Sequence, residues 1–467
     1  MTHIDLTDVE PGLPAGTGSV FRNRNFVFLW SAQVLSQLAS NMVLAALMAV
    51  VVGATGSNTA NALLILTFLV PAVVFSALAG VLVERSDARW IMILSNLGRA
   101  FGCALFIALG ANVFAILVLN FAISTISAFF GPAELIAITR LVERRHLMAA
   151  NSIFILTVNA TFGIGFGVIG PLLLTTLGPN AVYVTVSVMF ALAAVAIIPL
   201  PSVKPEKTPR PFDAGKTMTH VLEELREGIA FVQNTPRISW SLRYLVIGAS
   251  IIGVLGALGP GYATGVLNLS AEDIFFIMGP AGLGAVMGIL FINSFGQYIP
   301  RRLLIDVGLM LTAAMLLAIA LVGPLTDILR PTLAPIEEDL PDLLGPLLSV
   351  IALVIVIAFG AGIAYALIAI PAQTSLQEEL PPDVRGRIFG ILNTLLSVAS
   401  FFPVLVAPVI ADLVDIMAPG FGIPFVLLAL ALFMVWVGVV SWRNNAALGL
   451  HQRVPPDQIP GQSPDQV

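Results

Sequence analysis

Apolar runs of about twenty residues recur along the whole chain, and they limit the folds open to it more than any other feature. As a helix, a run of that length spans the hydrocarbon core of a bilayer, which is roughly 30 Å thick. Only 10% of the 467 residues are charged, whereas a soluble domain carries about 25%. Membrane β-strands would instead alternate over segments of about ten residues. The sequence therefore predicts an all-α integral membrane protein.

Charged residues and Gly, Pro or Asn clusters divide the chain into twelve predicted transmembrane helices. The predicted spans are 26–53, 60–83, 90–110, 113–139, 148–177, 181–200, 241–267, 272–295, 302–323, 344–376, 387–411 and 420–441.

Lysine and arginine gather in alternate connections, which indicates the orientation of the spans. Of the 22 Lys and Arg residues, only Arg330 lies in a connection on the opposite side. Basic residues are retained on the cytoplasmic side of membrane proteins. We therefore predict a multi-pass protein of a bacterial cytoplasmic membrane, with both termini in the cytoplasm. One opposite-side connection, 324–346, is acidic, and we interpret it as a solvated loop in preference to an entrance that concentrates cations.

The two halves of the chain repeat, because 132–151 and 371–393 both run from Pro-Ala through a charged turn to an Asn. Repeats with the same in/out sense imply an axis along the membrane normal and a site between the halves. The predicted segments are a disordered cytoplasmic tail (1–20), an N-terminal six-helix bundle (21–200), a cytoplasmic linker with an amphipathic helix (201–237), a C-terminal six-helix bundle (238–442) and a cytoplasmic tail (443–467).

Four stretches carry a resemblance to a known family: FRNRNFVFLWSAQVLS (21–36), GVLVERSDARW (80–90), FFGPAELIAITRLVERRHLMAAN (129–151) and QEELPPDVRGRIFGILNT (377–394). Over residues 21–442 the sequence resembles the major facilitator superfamily, and within it bacterial exporters of the macrolide-efflux and enterobactin-exporter-like branch. The resemblance implies two pseudo-symmetric six-helix bundles, transport by alternating access and a monomer. It also implies that helices one, four, seven and ten line the path.

The same resemblance implies a cytoplasmic gate between the second and third spans. Gly80, Glu84, Arg85 and Arg89 stand at the gate positions. The acid would accept charge-assisted hydrogen bonds that hold the outward-facing state shut on the cytoplasmic side. The sequence departs from the family pattern, with Glu84 where Asp is commoner and Asp87 where Gly often stands. The alternative is a solvated turn that only sets topology.

The fifth predicted span contains GIGFGVIGPLLL (163–174), which partly resembles the glycine-and-proline motif of antiporters in this superfamily. Small residues allow close helix packing, and a proline frees a backbone carbonyl and permits bending. The hinge candidates are Gly163, Gly167, Gly170 and Pro171. Plain packing is the alternative.

Two ionisable residues, Arg99 and Glu134, are predicted to lie inside spans. Arg99 is ten residues past Arg89, about 15 Å inward, and Glu134 is six residues before Arg140, about 9 Å from the same surface. We predict that the two side chains interact across the third and fourth helices. A buried carboxyl group that changes protonation as the halves move couples transport to protons. A static structural ion pair is the alternative.

Polar stripes and aromatic residues mark the predicted substrate cavity, with interhelical hydrogen bonding as the alternative role. The cavity candidates are Trp30, Gln33, Gln37, Asn41, Asn120, Ser124, Ser127, Tyr262 and Tyr365. So few charges suit a lipophilic or amphipathic cargo better than a sugar phosphate or a dicarboxylate.

Catalytic chemistry is not expected. The sequence holds no GxxxxGK[ST] motif for ATP, one cysteine, and four histidines in tails or connections. We expect no cofactor, no metal and no nucleic-acid partner. The predicted function is proton-coupled efflux of small amphipathic compounds. The alternatives are an importer or facilitator of a small metabolite, and a transporter-like sensor or scaffold that does not transport.

Overall fold

The computed structural model describes residues 17–83, 85–143, 146–204, 236–267, 275–339, 350–379 and 385–447. The described residues are helical almost throughout and include no strand. Their α-helices are α1 (Arg24–Thr55), α2 (Asn58–Val74), α3 (Ser76–Val83), α4 (Ala88–Leu109), α5 (Val113–Leu141), α6 (Leu147–Thr161), α7 (Gly170–Ile197), α8 (Pro236–Gly265), α9 (Phe275–Phe295), α10 (Arg301–Asp339), α11 (Val350–Glu379), α12 (Arg385–Met417) and α13 (Gly422–Ala447). A π-helical segment, Phe162–Ile169, joins α6 to α7.

These helices correspond to the twelve predicted spans. In the described part of the chain, nine stretches are long and apolar enough to cross a membrane, and Asn58–Val74 and Gly279–Phe295 are shorter apolar helices. The stretch Ala149–Ile197 is 49 residues long and contains the fifth and sixth predicted spans. The all-α, twelve-span prediction is therefore confirmed.

Local chemistry sets the ends of several spans. Inside α7, Gly178 has φ 80°, a left-handed conformation that favours glycine, and Pro179 follows it. The long helix breaks there, at the connection predicted between the fifth and sixth spans. At the start of α5, the side chain of Asn112 accepts a hydrogen bond from the amide of Ala115 at 3.1 Å and caps the helix.

Some predictions fall outside the described residues. They concern the N-terminal tail up to residue 16, most of the linker (205–235), the C-terminal tail from residue 448, Glu84, and the side chains of the acidic stretch 324–346. The described backbone of that stretch, 324–339, differs from the predicted loop, because α10 continues to Asp339.

Two compact units divide the molecule. One contains the described residues of Met1–Leu44, Val70–Leu173 and Leu177–Thr217, and its core includes Phe26 and Phe130. The other contains those of Ala45–Leu69, Leu174–Thr176 and Met218–Val467, and its core includes Leu309 and Met434. The end of α1 and most of α2 thus belong to the same unit as the helices that follow the linker.

Candidate functional site

Arg99 lies on the buried face of α4, where it is 4% exposed. One guanidinium nitrogen donates to Asn96 Oδ1 at 2.7 Å. The Cζ atom lies 4.5 Å from the ring centroid of Phe130 and 4.8 Å from that of Phe190. Aromatic ring faces carry partial negative charge and stabilise a cation. The amide of Asn96 and the two rings therefore stabilise the guanidinium group without an acidic partner in direct contact.

Glu134 lies on the buried face of the neighbouring helix α5 and is 8% exposed. Its Oε1 atom has no hydrogen-bond partner. Among the described residues, no ion pair or hydrogen bond joins Glu134 to Arg99 directly, although the two are close enough to interact electrostatically. The structure thus brings the two predicted residues near each other and leaves the carboxyl group with an unused acceptor.

At the start of α4 the important carboxylate is Asp87, which sequence reasoning treated only as a departure from the family pattern. Asp87 accepts hydrogen bonds from Ser202 Oγ at 2.5 Å, Val203 N at 2.9 Å and Arg89 N at 3.0 Å. Partial burial alone raises the pKa of Asp87, but these hydrogen bonds and the charge of Arg89 outweigh it and hold the pKa below its ordinary value. Asp87 therefore caps α4 and attaches the beginning of the linker to it.

The other predicted gate residues differ in the contacts that they make. A guanidinium nitrogen of Arg89 donates to the carbonyl oxygen of Ile198 near the end of α7. Nothing among the described residues lies within 4 Å of a Cβ built on Gly80, so no close packing requires glycine there. Arg85 follows α3 and is half-buried.

The predicted cavity residues of α1 and α5 have different environments. Trp30 Nε1 donates to Thr157 Oγ1 on α6 at 2.8 Å, which makes it a packing residue of the first unit. Gln33 is buried with Oε1 unpartnered, while Gln37 and Asn41 are half-buried. On α5, Asn120 and Ser124 are buried, and Ser127 donates to the carbonyl oxygen of Ile123.

The two predicted tyrosines lie in the second unit. Tyr262 is buried in its core and donates to the carbonyl oxygen of Ile319 at 2.9 Å. Tyr365 is half-buried on α11, and its ring lies 3.6 Å from a Cβ built on Gly248 of α8. The ring of Tyr365 thus packs where α11 approaches α8.

The glycine-rich motif forms the π-helical segment, a local widening of the helix that often occurs at functional sites. Gly165, which was not among the hinge candidates, makes the closest approach to α1. A Cβ built there would lie 2.9 Å from Leu38 Cδ1 and 3.0 Å from the Leu38 carbonyl oxygen. Nothing among the described residues approaches a Cβ at Gly163 within 4 Å. Gly170 begins α7 and Pro171 occupies its first turn.

The prediction that only Arg99 and Glu134 are ionisable residues within spans is wrong. Asp306 is fully buried near the start of α10, and Asp412 lies on α12 within another span. Asp306 lies inside the predicted span 302–323, four residues after Arg302, and was overlooked there as an ionisable residue. An acid that follows an arginine pair inside an apolar run was the signal that could have identified it.

Comparisons with known proteins agree with this architecture. The sequence profile of the Major Facilitator Superfamily matches residues 29–402. The chain therefore belongs to the Major Facilitator Superfamily and is a membrane transporter of that superfamily.

Two relatives cover most of the chain. The MFS-type transporter YfiS of Bacillus subtilis (strain 168) is 24% identical over 434 residues, which are 90% of this chain and 94% of YfiS. The multidrug efflux pump Tap of Mycolicibacterium fortuitum is 25% identical over 383 residues, 79% of this chain and 83% of Tap.

Solved structures share the fold. A bacterial homologue of the human lysosomal transporter Spinster, in an inward-facing and unoccupied conformation, matches with a TM-score of 0.66 and 15% identity over 92% of this chain and 99% of that one. The nucleoside transporter NupG matches with a TM-score of 0.63 and 13% identity over 89% and 98% of the two chains. At these identities the likeness concerns the fold alone.

Proposed function

We propose that this transporter exports small amphipathic compounds, such as drugs, macrolides or siderophore-like molecules, in exchange for protons across a bacterial cytoplasmic membrane. The observation that carries the proposal is the buried carboxyl group of Glu134, with Oε1 unpartnered and Arg99 nearby. The similarity to the efflux pump Tap supports the direction of transport.

Glu134 has the properties that a proton-coupling residue needs. A carboxyl group in an apolar interior binds a proton more readily than one in water, and a nearby cation has the opposite effect. Asn96 and the two phenylalanine rings contact Arg99 directly, so Glu134 is not the only group that stabilises the arginine. A small change in the surroundings of Glu134 can therefore favour either protonation state during the transport cycle.

The membrane potential supplies enough energy for this exchange. Each proton that moves inward contributes about 2.3 kcal/mol per 100 mV. One proton per cycle therefore drives export of an uncharged compound against a concentration ratio of roughly fifty at 100 mV, since 1.4 kcal/mol corresponds to tenfold.

The half-buried amides of α1, Gln37 and Asn41, are the polar groups of the first unit that are proposed to contact cargo. They offer hydrogen bonds without a fixed charge, which suits an amphipathic molecule. Tyr262 and Trp30 are already engaged in packing contacts, so they are weaker candidates for direct contact. An importer or facilitator, and a protein without transport activity, remain the alternatives that the experiment must distinguish.

The experiment is accumulation of an amphipathic dye and of a macrolide in cells that lack their own pumps. The cells express the wild type, Glu134→Gln or Arg99→Ala, each with and without a protonophore. Glu143→Gln is the matched control, because Glu143 is an exposed acid in the connection after α5.

If the protein exports, cells with the wild type or with Glu143→Gln should accumulate less compound than cells without the transporter. The protonophore should abolish this reduction. Glu134→Gln should accumulate compound as strongly as cells without the transporter. Export that persists in Glu134→Gln would remove Glu134 as the coupling residue. Raised accumulation would indicate import, and no change with any compound would contradict the export proposal.

A further inference from the structure

The carboxylate of Asp412 on α12 holds the first residues of α2 through four hydrogen bonds. It accepts from Ser57 Oγ at 2.8 Å, Asn58 N at 3.2 Å, Asn58 Nδ2 at 2.9 Å and Thr59 N at 2.8 Å. Ser57 Oγ in turn accepts from Ala60 N at 3.2 Å. The first amides of α2 are therefore satisfied jointly by a local cap and by a carboxylate from a distant helix.

Two further contacts fasten the same end of α2 to α8. Asn61, which is fully buried, donates to the carbonyl oxygen of Ala257 at 2.7 Å. Asn58 Oδ1 lies where a Cβ on Gly261 would stand, so only glycine allows this approach. The turn between α1 and α2 is thus held by both α8 and α12, and this agrees with the placement of Ala45–Leu69 in the second unit.

The location of these contacts gives them a role in transport. The distribution of Lys and Arg predicts that the α1–α2 turn lies on the side of the membrane opposite the arginine-rich connections. The turn belongs to the helices that precede the linker. In transport by alternating access, helices before the linker move relative to those after it. Contacts that join α2 to α8 and α12 must therefore break when this side opens.

We propose that Asp412 is a latch that holds this side of the transporter closed, and that its release from residues 57–59 is a step of the transport cycle. The negative charge faces the N-terminus of α2, where the helix dipole stabilises an anion. The donors lie at the end of the helix beside half-exposed residues, so water can replace the carboxylate when the latch opens. The hydrogen bonds of Asp412 therefore stabilise the closed state and can break and form again.

The inference rests on alternating-access transport, and its test requires neither cargo nor protons. A reporter cysteine is placed by Ala257→Cys in a Cys103→Ser background, because Ala257 is fully buried behind the latch. Maleimide labelling is then followed in lipid nanodiscs for the parent protein and for Asp412→Asn, which presents an NH₂ group to the donors of α2. Asp415→Asn is the matched control, since Asp415 lies on the same helix but accepts from Gly420 N and Gly422 N in the turn after α12.

Asp412→Asn should label about tenfold faster or more, because several part-buried donors lose a charged acceptor at once. Ser57→Ala should give a smaller increase, and it serves as the milder variant if Asp412→Asn folds poorly. Gly261→Ala should also accelerate labelling, because its methyl group displaces Asn58. Asp415→Asn should label like the parent.

Parental labelling rates in Asp412→Asn and Ser57→Ala would overturn the latch, even if the protein exports compounds. Faster labelling together with no transport of any compound would leave the latch intact and contradict the proposed function. The latch and the proposed export function can therefore be contradicted independently of each other.

Discussion

The side-chain amide of Asn445 on α13 donates to both carboxylate oxygens of Asp306 on α10, at 3.1 and 2.9 Å. Ser441 Oγ also donates to Asp306, and Arg302 donates to Asn445 Oδ1 at 3.1 Å. The acid is fully buried, and a buried carboxylate is tolerated only when such donors surround it. These residues join α10 to α13 inside the second unit.

Asn445→Leu should destabilise the protein by about 1–3 kcal/mol, because Asp306 loses the amide that serves both of its oxygens. The neighbouring Asn444 is exposed, so Asn444→Leu is the matched control and should leave stability nearly unchanged. Thermal unfolding in detergent measures both variants. Equal melting temperatures for the two would mean that the network contributes nothing to stability.

Gly165→Ala should impair both stability and transport, since its methyl group would meet the Leu38 carbonyl oxygen and force α1 away from the π-helical segment. Gly163→Ala, in open space two residues earlier, should behave like the wild type. The comparison uses melting temperature and dye accumulation. If Gly163→Ala were the more damaging substitution, the close contact at Gly165 would not be the reason for the glycine-rich motif.

The transmembrane spans could be predicted from the sequence because each span depends on local features. An apolar run defines a helix, and the break inside α7 follows from Gly178 and Pro179 in the sequence itself. The approach of Arg99 to Glu134 was also predictable, since α4 and α5 are consecutive and the two depths could be counted from Arg89 and Arg140.

Contacts between distant segments could not be predicted. Asp412 meets residues more than 350 positions earlier in the chain, and Asp306 meets Asn445 139 positions later. Nothing in the local pattern around Asp412 indicates a partner at the start of α2. The π-helical geometry was also inaccessible, because the spacing of Gly163, Gly165 and Gly167 suits an α-helix equally well.

Asp87→Asn should change how stability depends on acid. Since the folded-state pKa of Asp87 is lowered, its contribution is complete above the ordinary value of 3.8 and disappears as the pH falls through the lower folded pKa. The wild type should therefore melt at a higher temperature than Asp87→Asn at pH 7, and the difference should shrink below about pH 4. A difference that grows on acidification would contradict the assignment of Asp87 as an ionised cap.

The most direct test of the central claim is proton-driven transport by purified protein in liposomes, with Glu134→Gln compared against Glu143→Gln. An imposed pH gradient should drive uptake of an amphipathic dye by the wild type and by Glu143→Gln. Glu134→Gln should still exchange dye across the membrane but should not respond to the gradient. Gradient-driven accumulation by Glu134→Gln at the wild-type rate would contradict proton coupling through this carboxyl group.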